Sequence, residues 1–444
     1  MKRRVLRIGL GVLFLGLVLP RLVEAAPLGR RVKMDNGLTL LVAERHSLPM
    51  VTVEILVKAG ASQEPKEKAG LANLTAILLP LGTVSRTAPE ISEAIEFVGG
   101  NLSADGSRDT STLSLTVLKK DLDLGLELLA DVLLHPAFRE AEIARKVREL
   151  KGHIRQKQED PGTVAREAFA KTLFRDDPYG RPVEGTEASL DRITRQDLVD
   201  FHRRYYVPRN SILAVAGDVT LGEFQGSVAR YLKGWIGKGV AAAAPATAPS
   251  PGGQQVVKID RGVTQANILW GHVGIARRNP DFYALSVMNF ILGGGGLTSR
   301  LMRAIREERG WAYDVHSFFS ARRRPGPFVV GLQTKNETAG AALEEVLRQI
   351  RRIREDGVTP EELDEAKGFL TGSFPLRIDT NRDVVSILAS IEFYGLGLDY
   401  PEQYPKMIRA VSREDILRVA RTYLHPDQGV LVVVADLDKA KLPF

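Results

Sequence analysis

The sequence predicts an α+β protein built from two copies of one unit, each a mostly antiparallel sheet with helices packed on one face. Three observations carry this. Residues 194–218 and 412–436 align without a gap: Arg195 pairs with Arg413, Asp197 with Asp415, Tyr205 with Tyr423, Pro208 with Pro426 and Asp218 with Asp436. Five identities in one register mark an internal repeat. Between the copies, residues 239–253 are rich in Ala, Pro and Gly, uncharged and without amphipathic period, which is linker composition. Both halves also mix period-two and helical patterns, the signature of strands with helices layered against them.

Taken in order, residues 1–25 read as an export signal. Lys2, Arg3, Arg4 and Arg7 precede an uncharged apolar stretch from Ile8 to Leu19, and Val23 and Ala25 suit a cleavage site. That stretch is short of the ~20 residues a bilayer requires. Residues 26–238 then form the first domain. Leu38/Leu40/Val42, Val51/Val53/Ile55/Val57 and Leu113/Leu115/Val117 alternate as strands do. Leu122, Leu126, Leu129 and Leu133 recur at helical spacing, and Glu140 to Gln158 is a charged helix closed by Pro161. Thr194 caps a further helix, with Asp197 favouring its positive end, and an apolar strand follows from Ile212 to Ala216. Residues 254–444 form the second domain. There Ser412, Asp415 and the strand Val430 to Ala435 repeat that ending.

Composition bounds the chemistry. The 444 residues include no cysteine, which excludes disulfides, thiolate metal sites and thiol nucleophiles. The net charge of +7 suggests a polyanion partner. The export signal, however, holds five cations and one anion, so its removal leaves +3 and no reason to invoke nucleic acid. No membrane contact beyond the signal is expected, and the mature chain is expected in the periplasm or outside the cell.

Further motifs run through both halves. They include Asn36-Gly37-Leu38, His46-Ser47-Leu48-Pro49, Gly99-Gly100-Asn101, Pro136-Ala137-Phe138 and Asp177-Pro178-Tyr179-Gly180-Arg181-Pro182. The second half adds Gly293 to Gly296 leading to Ser299-Arg300-Leu301, Gly372-Ser373-Phe374, and Tyr394-Gly395-Leu396-Gly397. In this order they resemble the insulinase/pitrilysin family, especially two-domain members related to mitochondrial processing peptidase. The resemblance spans nearly all of residues 30–437. It implies a clamshell of two domains and peptide hydrolysis at a zinc ion.

Active members of that family carry H-x-x-E-H on a first-half helix, two His to bind zinc and a Glu to take a proton from water. Here the corresponding residues are Asn73, Ala76 and Ile77, and alignment on Glu159-Asp160-Pro161 puts the third-ligand position at His153. Ala and Ile cannot coordinate or accept a proton, and no two of the seven histidines lie within five residues of each other. No metal is expected in this chain.

What is kept is Arg306-Glu307-Glu308-Arg309-Gly310-Trp311-Ala312-Tyr313. The resemblance implies that Arg306 holds a substrate carbonyl and that Tyr313 donates to the oxyanion. Gly293, Gly294, Gly295 and Gly296 correspond to a glycine-rich loop implicated in substrate contact in the relatives. A tight turn requiring positive φ explains them equally well. Arg322-Arg323-Arg324-Pro325-Gly326-Pro327 reads as a solvated hairpin tip, the alternative being attraction of acidic substrates or a partner surface.

The expected function is therefore that of a subunit inactive on its own. A homologous partner chain would supply H-x-x-E-H and zinc, and peptides are the substrate. The alternative is a pseudoenzyme, a peptide-binding or scaffolding module. An autonomous zinc peptidase is disfavoured by the residues themselves.

Overall fold

The computed structural model describes residues 27–237 and 253–442. The export signal and all of the linker but Gly253 lie outside the described residues. The first half runs β1 (Arg30–Lys33), β2 (Thr39–Glu44), β3 (Met50–Val57), α1 (Leu71–Leu78), α2 (Ala88–Phe97), β4 (Asn101–Gly106), β5 (Ser111–Leu118), α3 (Leu122–Leu134), α4 (Glu140–Glu159), α5 (Pro161–Phe174), α6 (Glu187–Leu190), α7 (Arg195–Tyr205), β6 (Ser211–Gly217) and α8 (Leu221–Tyr231). The second runs β7 (Gln254–Asp260), β8 (Gln265–Val273), α9 (Phe282–Asn289), β9 (Ala312–Phe319), β10 (Pro327–Lys335), α10 (Ala339–Asp356), α11 (Pro360–Gly372), α12 (Asn381–Tyr394), α13 (Tyr400–Ala410), α14 (Arg413–Tyr423) and β11 (Gly429–Ala435).

The strands order as β1-β2-β6-β3-β5-β4 and β7-β11-β8-β10-β9. Every pair is antiparallel except β2–β6 and β7–β11, which occupy equivalent places. The repeat read from sequence is therefore a repeat of structure. Its physical basis is visible at α7 and α14. The Asp197 and Asp415 amides donate to the Thr194 and Ser412 hydroxyls, and each carboxylate returns to the cap residue's own N–H, at 2.9 and 3.0 Å. Two orphan amides are satisfied at each start. The matched Arg195 and Arg413 also do one job: each donates Nε to a carbonyl of its own half, Phe138 at 3.0 Å and Val358 at 2.7 Å.

One face of each sheet packs on that half's own helices, as expected. In the first half Leu40, Val42, Val53, Leu115 and Val215 meet α1 and α3. In the second Ile268, Trp270, Val330 and Leu431 meet α9 and α10. The opposite faces are covered by exchange. Helix α12 of the second half lays Val384, Val385, Leu388 and Ala389 on Leu41, Ala43, Ile212, Ala214 and Ala216 of the first sheet. Helix α5 of the first half lays Ala165, Phe169 and Leu173 on Val329, Val430, Val432 and Val434 of the second. This clamshell is closed by two reciprocal apolar layers.

Neither helix was read from the sequence. Pro161 does end α4, but it also opens α5 at N1, behind an Asp160 side chain that accepts the Gly162 and Thr163 amides. The exchange also explains why β6 and β11 are buried along their whole length rather than alternately. Glu54, on the supposedly solvated face of β3, lies under α12 and accepts a hydrogen bond from Ser386 at 2.9 Å. Burial raises its carboxyl above the ordinary range.

The arginine-rich tip between β9 and β10 is a second correction. It is docked rather than solvated. Arg324 makes a bidentate pair with Asp177 of the first half (2.6 and 2.9 Å), and its guanidinium carbon lies 4.3 Å from the centroid of the Tyr179 ring. The Tyr179 hydroxyl donates to Asp109 at 2.6 Å and accepts from the Arg324 amide. A planar cation finds a carboxylate and an aromatic face together, which offsets its desolvation.

Leu388→Ala, at a fully buried position, is expected to cost about 2–5 kcal/mol in denaturant unfolding. Its signature is faster amide exchange in β2 and β6, although the substitution lies in the other half of the chain.

Candidate functional site

Helix α1 carries the positions where the resemblance places zinc ligands. Asn73 and Ala76 are buried and Ile77 is half-buried in the first core. The helix sits hard against β4, so that a Cβ on Gly106 would approach the Asn73 Cα to 2.5 Å. His153 is exposed on α4. Among the described residues no three His, Asp or Glu side chains stand together as a metal site. The donor set does not fit zinc: one amide, one methyl group and one branched alkyl chain replace two imidazoles and a carboxylate.

A different acid organises this helix. Glu64 accepts the Gly70 and Ala72 amides at 2.9 Å each, one on each carboxylate oxygen, and so caps the N-terminus of α1. Burial outweighs those two bonds and the nearby Arg181 charge, and pushes the carboxyl up to about 7.

The retained pair lies in the second half. Arg306 lies near the end of a π-helical turn over Met302–Glu307. The chain then reverses through Gly310, at φ +62°, and enters β9. Gln333 faces Asp314 while Thr334 faces Ala312, which leaves Tyr313 as the extra residue of a β-bulge. A bulge re-aims the side chain it carries. Tyr313 is 80% exposed, and the Arg306 guanidinium carbon lies 4.9 Å from its ring centroid. Neighbouring arginines are committed elsewhere, Arg300 to Glu362 at 2.6 Å and Arg309 to Glu345 at 3.3 Å. Arg306 has no ion pair among the described residues. The structure thus brings Arg306 and Tyr313 together and leaves both accessible.

The glycine run packs along the same strand. A Cβ on Gly293 would meet the Ser317 amide nitrogen of β9 at 2.7 Å, and Gly296 has φ +60°. Asn289 fastens the run by exchanging two hydrogen bonds with Ser317, at 2.9 and 3.0 Å. Close approach and positive φ account for glycine at these two places. The two sets of residues belong to separate cores: α1 to the first, the turn bearing Arg306 to the second. Sequence reasoning missed the Asp109–Tyr179–Arg324 network. Its signal was present in the Asp177 to Pro182 motif and the arginine run, but not the pairing of the two.

Residues 40–187 match the family model described as Insulinase (Peptidase family M16), and residues 192–370 the one described as Peptidase M16 inactive domain. A Mycobacterium leprae protein named an uncharacterized zinc protease is 31% identical over 420 residues, covering 93% of each chain. The chain belongs to the M16, or insulinase, family. A Streptomyces coelicolor protein, also named an uncharacterized zinc protease, is 28% identical over 93% of this chain and 91% of its own. Among solved M16 structures, a peptidase M16 inactive domain from Pseudomonas fluorescens superposes with a TM-score of 0.86 at 28% identity, covering 92% of this chain and 98% of that one. A protease from Helicobacter pylori shares the fold, with a TM-score of 0.84 at 22% identity over 92% and 100% of the two chains. Among the described residues no helix is long and apolar enough to cross a membrane.

In this M16 member Glu64 makes stability pH-dependent. Folding holds its carboxyl neutral up to about pH 7, whereas the unfolded chain ionises it near 4.5. The stabilisation is complete below pH 4.5 and is lost as pH rises through 7, by up to about 3 kcal/mol from this group. Unfolding titrations across that window should show a shallower decline for Glu64→Gln than for the unmodified chain.

Proposed function

We propose that this M16 chain is the zinc-less subunit of a heteromeric peptidase. Arg306 and Tyr313 act on the substrate, and a homologous partner brings H-x-x-E-H and its zinc. The observation that carries this reading is the pair itself: an exposed Tyr and an accessible Arg, stacked at 4.9 Å, on a chain whose α1 carries Asn73, Ala76 and Ile77. A tyrosine that is 80% exposed buries little area and so contributes little to packing. The relatives' names speak of zinc proteases, and a zinc site on a second chain reconciles those names with this α1.

The roles follow from the side chains. The Arg306 guanidinium offers rigid, permanently charged donors to a peptide carbonyl. The Tyr313 hydroxyl is a neutral donor to the oxyanion that forms as water attacks, and one such bond contributes about 10²–10³ in rate. The glycine run from Gly293 to Gly296 packs against the same strand and contacts the substrate. The outer edge of β4, beside α1, has no strand partner among the described residues and suits an extended peptide added as a further strand. Export through residues 1–25 places the assembly in the periplasm or outside the cell.

The purified chain alone is expected to hold no stoichiometric zinc and to hydrolyse no peptide. Mixed with a homologous H-x-x-E-H chain, it should support metal-dependent hydrolysis. Arg306→Ala and Tyr313→Phe should each lower kcat of the mixture about 10²–10³-fold. Full activity of the mixture with either variant, or one tightly bound zinc per chain in this subunit alone, overturns the reading.

A further inference from the structure

A cavity of about 350 Å³ lies between α5 and the face of the second sheet that α5 covers. Its walls are apolar: Phe169 and Phe174 of α5 face Leu269, Val329 and Phe318 of the strands. Along β9 it extends from Asp314 to Ser320, ~20 Å for an extended run of this length.

At the Ser320 end stand two arginines, Arg108 from the first half and Arg322 from the hairpin tip. Both guanidiniums lie within 6 Å of the Tyr179 ring, at 5.8 and 5.9 Å from its centroid. Neither makes an ion pair among the described residues. Arg108 Nη1 donates to the carbonyls of Tyr179 and Arg181 at 2.5 and 2.9 Å, and Arg322 Nε to Ser320 Oγ at 3.2 Å. Two carboxylates, Asp177 and Asp109, reach Arg108 with their charge. Asp177 is bound by Arg324, and Asp109 accepts from Tyr179 and Ser62. Burial and the like charge of Arg322 bring Arg108 down to about 10.

At the far end the polar groups have partners. Asp314 pairs with His316 at 2.7 Å, and Arg166 is bonded to Thr163 and Asp160. Asp314 stands six residues along β9 from Ser320 and makes no ion pair with Arg322 among the described residues. One end of an apolar cavity therefore gathers three guanidiniums, Arg108, Arg322 and Arg324, against two carboxylates, Asp109 and Asp177, and one positive charge is left over.

We propose that this cavity binds the C-terminal residues of a peptide, with the carboxylate between Arg108 and Arg322 and apolar side chains along Phe169, Phe318 and Val329. A guanidinium pair recognises a carboxylate through directed, charge-assisted bonds. The cavity lies within the usual range for small-ligand sites. An alkyl carboxylate would satisfy the same charge. The side-chain amides of Asn267 and Gln333 line the far half, however, and match backbone groups that an alkyl chain lacks. The site is separate from Arg306 and Tyr313 and needs no partner chain.

The test uses the full chain alone and the fluorescein-labelled pentapeptide Ala-Ala-Ala-Leu-Phe, read by anisotropy. The free acid should bind at least tenfold more tightly than the same peptide as its C-terminal amide. Arg322→Gln, with its circular dichroism unchanged, should abolish that difference. Phe318→Ser should weaken both forms together and leave their ratio intact. Equal binding of acid and amide, or a preference that survives Arg322→Gln, overturns the proposal. Dodecanoate displacing the peptide at concentrations well below the peptide's own Kd overturns the peptide assignment. No readout involves hydrolysis, so failure here leaves the split-peptidase reading untouched, and failure of that reading leaves this one.

Discussion

Everything in this fold depends on the exchange of two helices between its halves. A sheet with helices on one face leaves the other face to be dealt with. Here each half lends one helix to the other, α5 outward to β8 and β11, α12 back to β3 and β6. The strands at the centre of both sheets are therefore buried on both sides, and their composition follows: β11 reads Gly-Val-Leu-Val-Val-Val-Ala. The docking of Arg324 on Asp177 and Tyr179 falls at the margin of the same contact. It is a polar clasp beside an apolar layer, and it fixes the cavity wall that carries Arg108 and Arg322.

What was legible in the sequence is what each half settles locally. The capping boxes at Thr194 and Ser412, the strands after Pro208 and Pro426, and the alternation of β3 and β5 all express neighbours within a few residues. Helices α5 and α12 were not legible because their partners lie more than 90 residues away. Their apolar faces are also built partly of small residues, such as Ala165, Ala168 and Ala389, which carry little periodic signal. The arginine tip failed for the same reason. A run of three cations reads as solvated until Asp177, far off in the chain, is placed beside it. Glu54 was hidden by the assumption that the polar side of an alternating strand faces water.

The site divides along the same line. The identities Asn73, Ala76 and Ile77 were readable directly, since side-chain chemistry decides coordination. The family motif pointed to Arg306 and Tyr313, but no spacing rule gave the π-helical turn and the bulge that present them. Those two irregularities do what a regular helix and strand would not. They set a guanidinium over a phenol ring and keep both at the surface. The α1 segment is thus filled with packing residues, whereas the turn and the bulge present polar side chains.

The exchanged helices also settle where motion is possible. Parting the two halves would strip α5 from one sheet and α12 from the other in a single step, exposing two buried apolar layers at a cost on the order of tens of kcal/mol. No thermal fluctuation reaches that. The chain is mechanically one plate, not a pair of jaws. In the two-chain peptidase proposed above, the gate that admits a polypeptide would therefore swing on the seam between the chains, and its hinge would belong to the assembly rather than to either member.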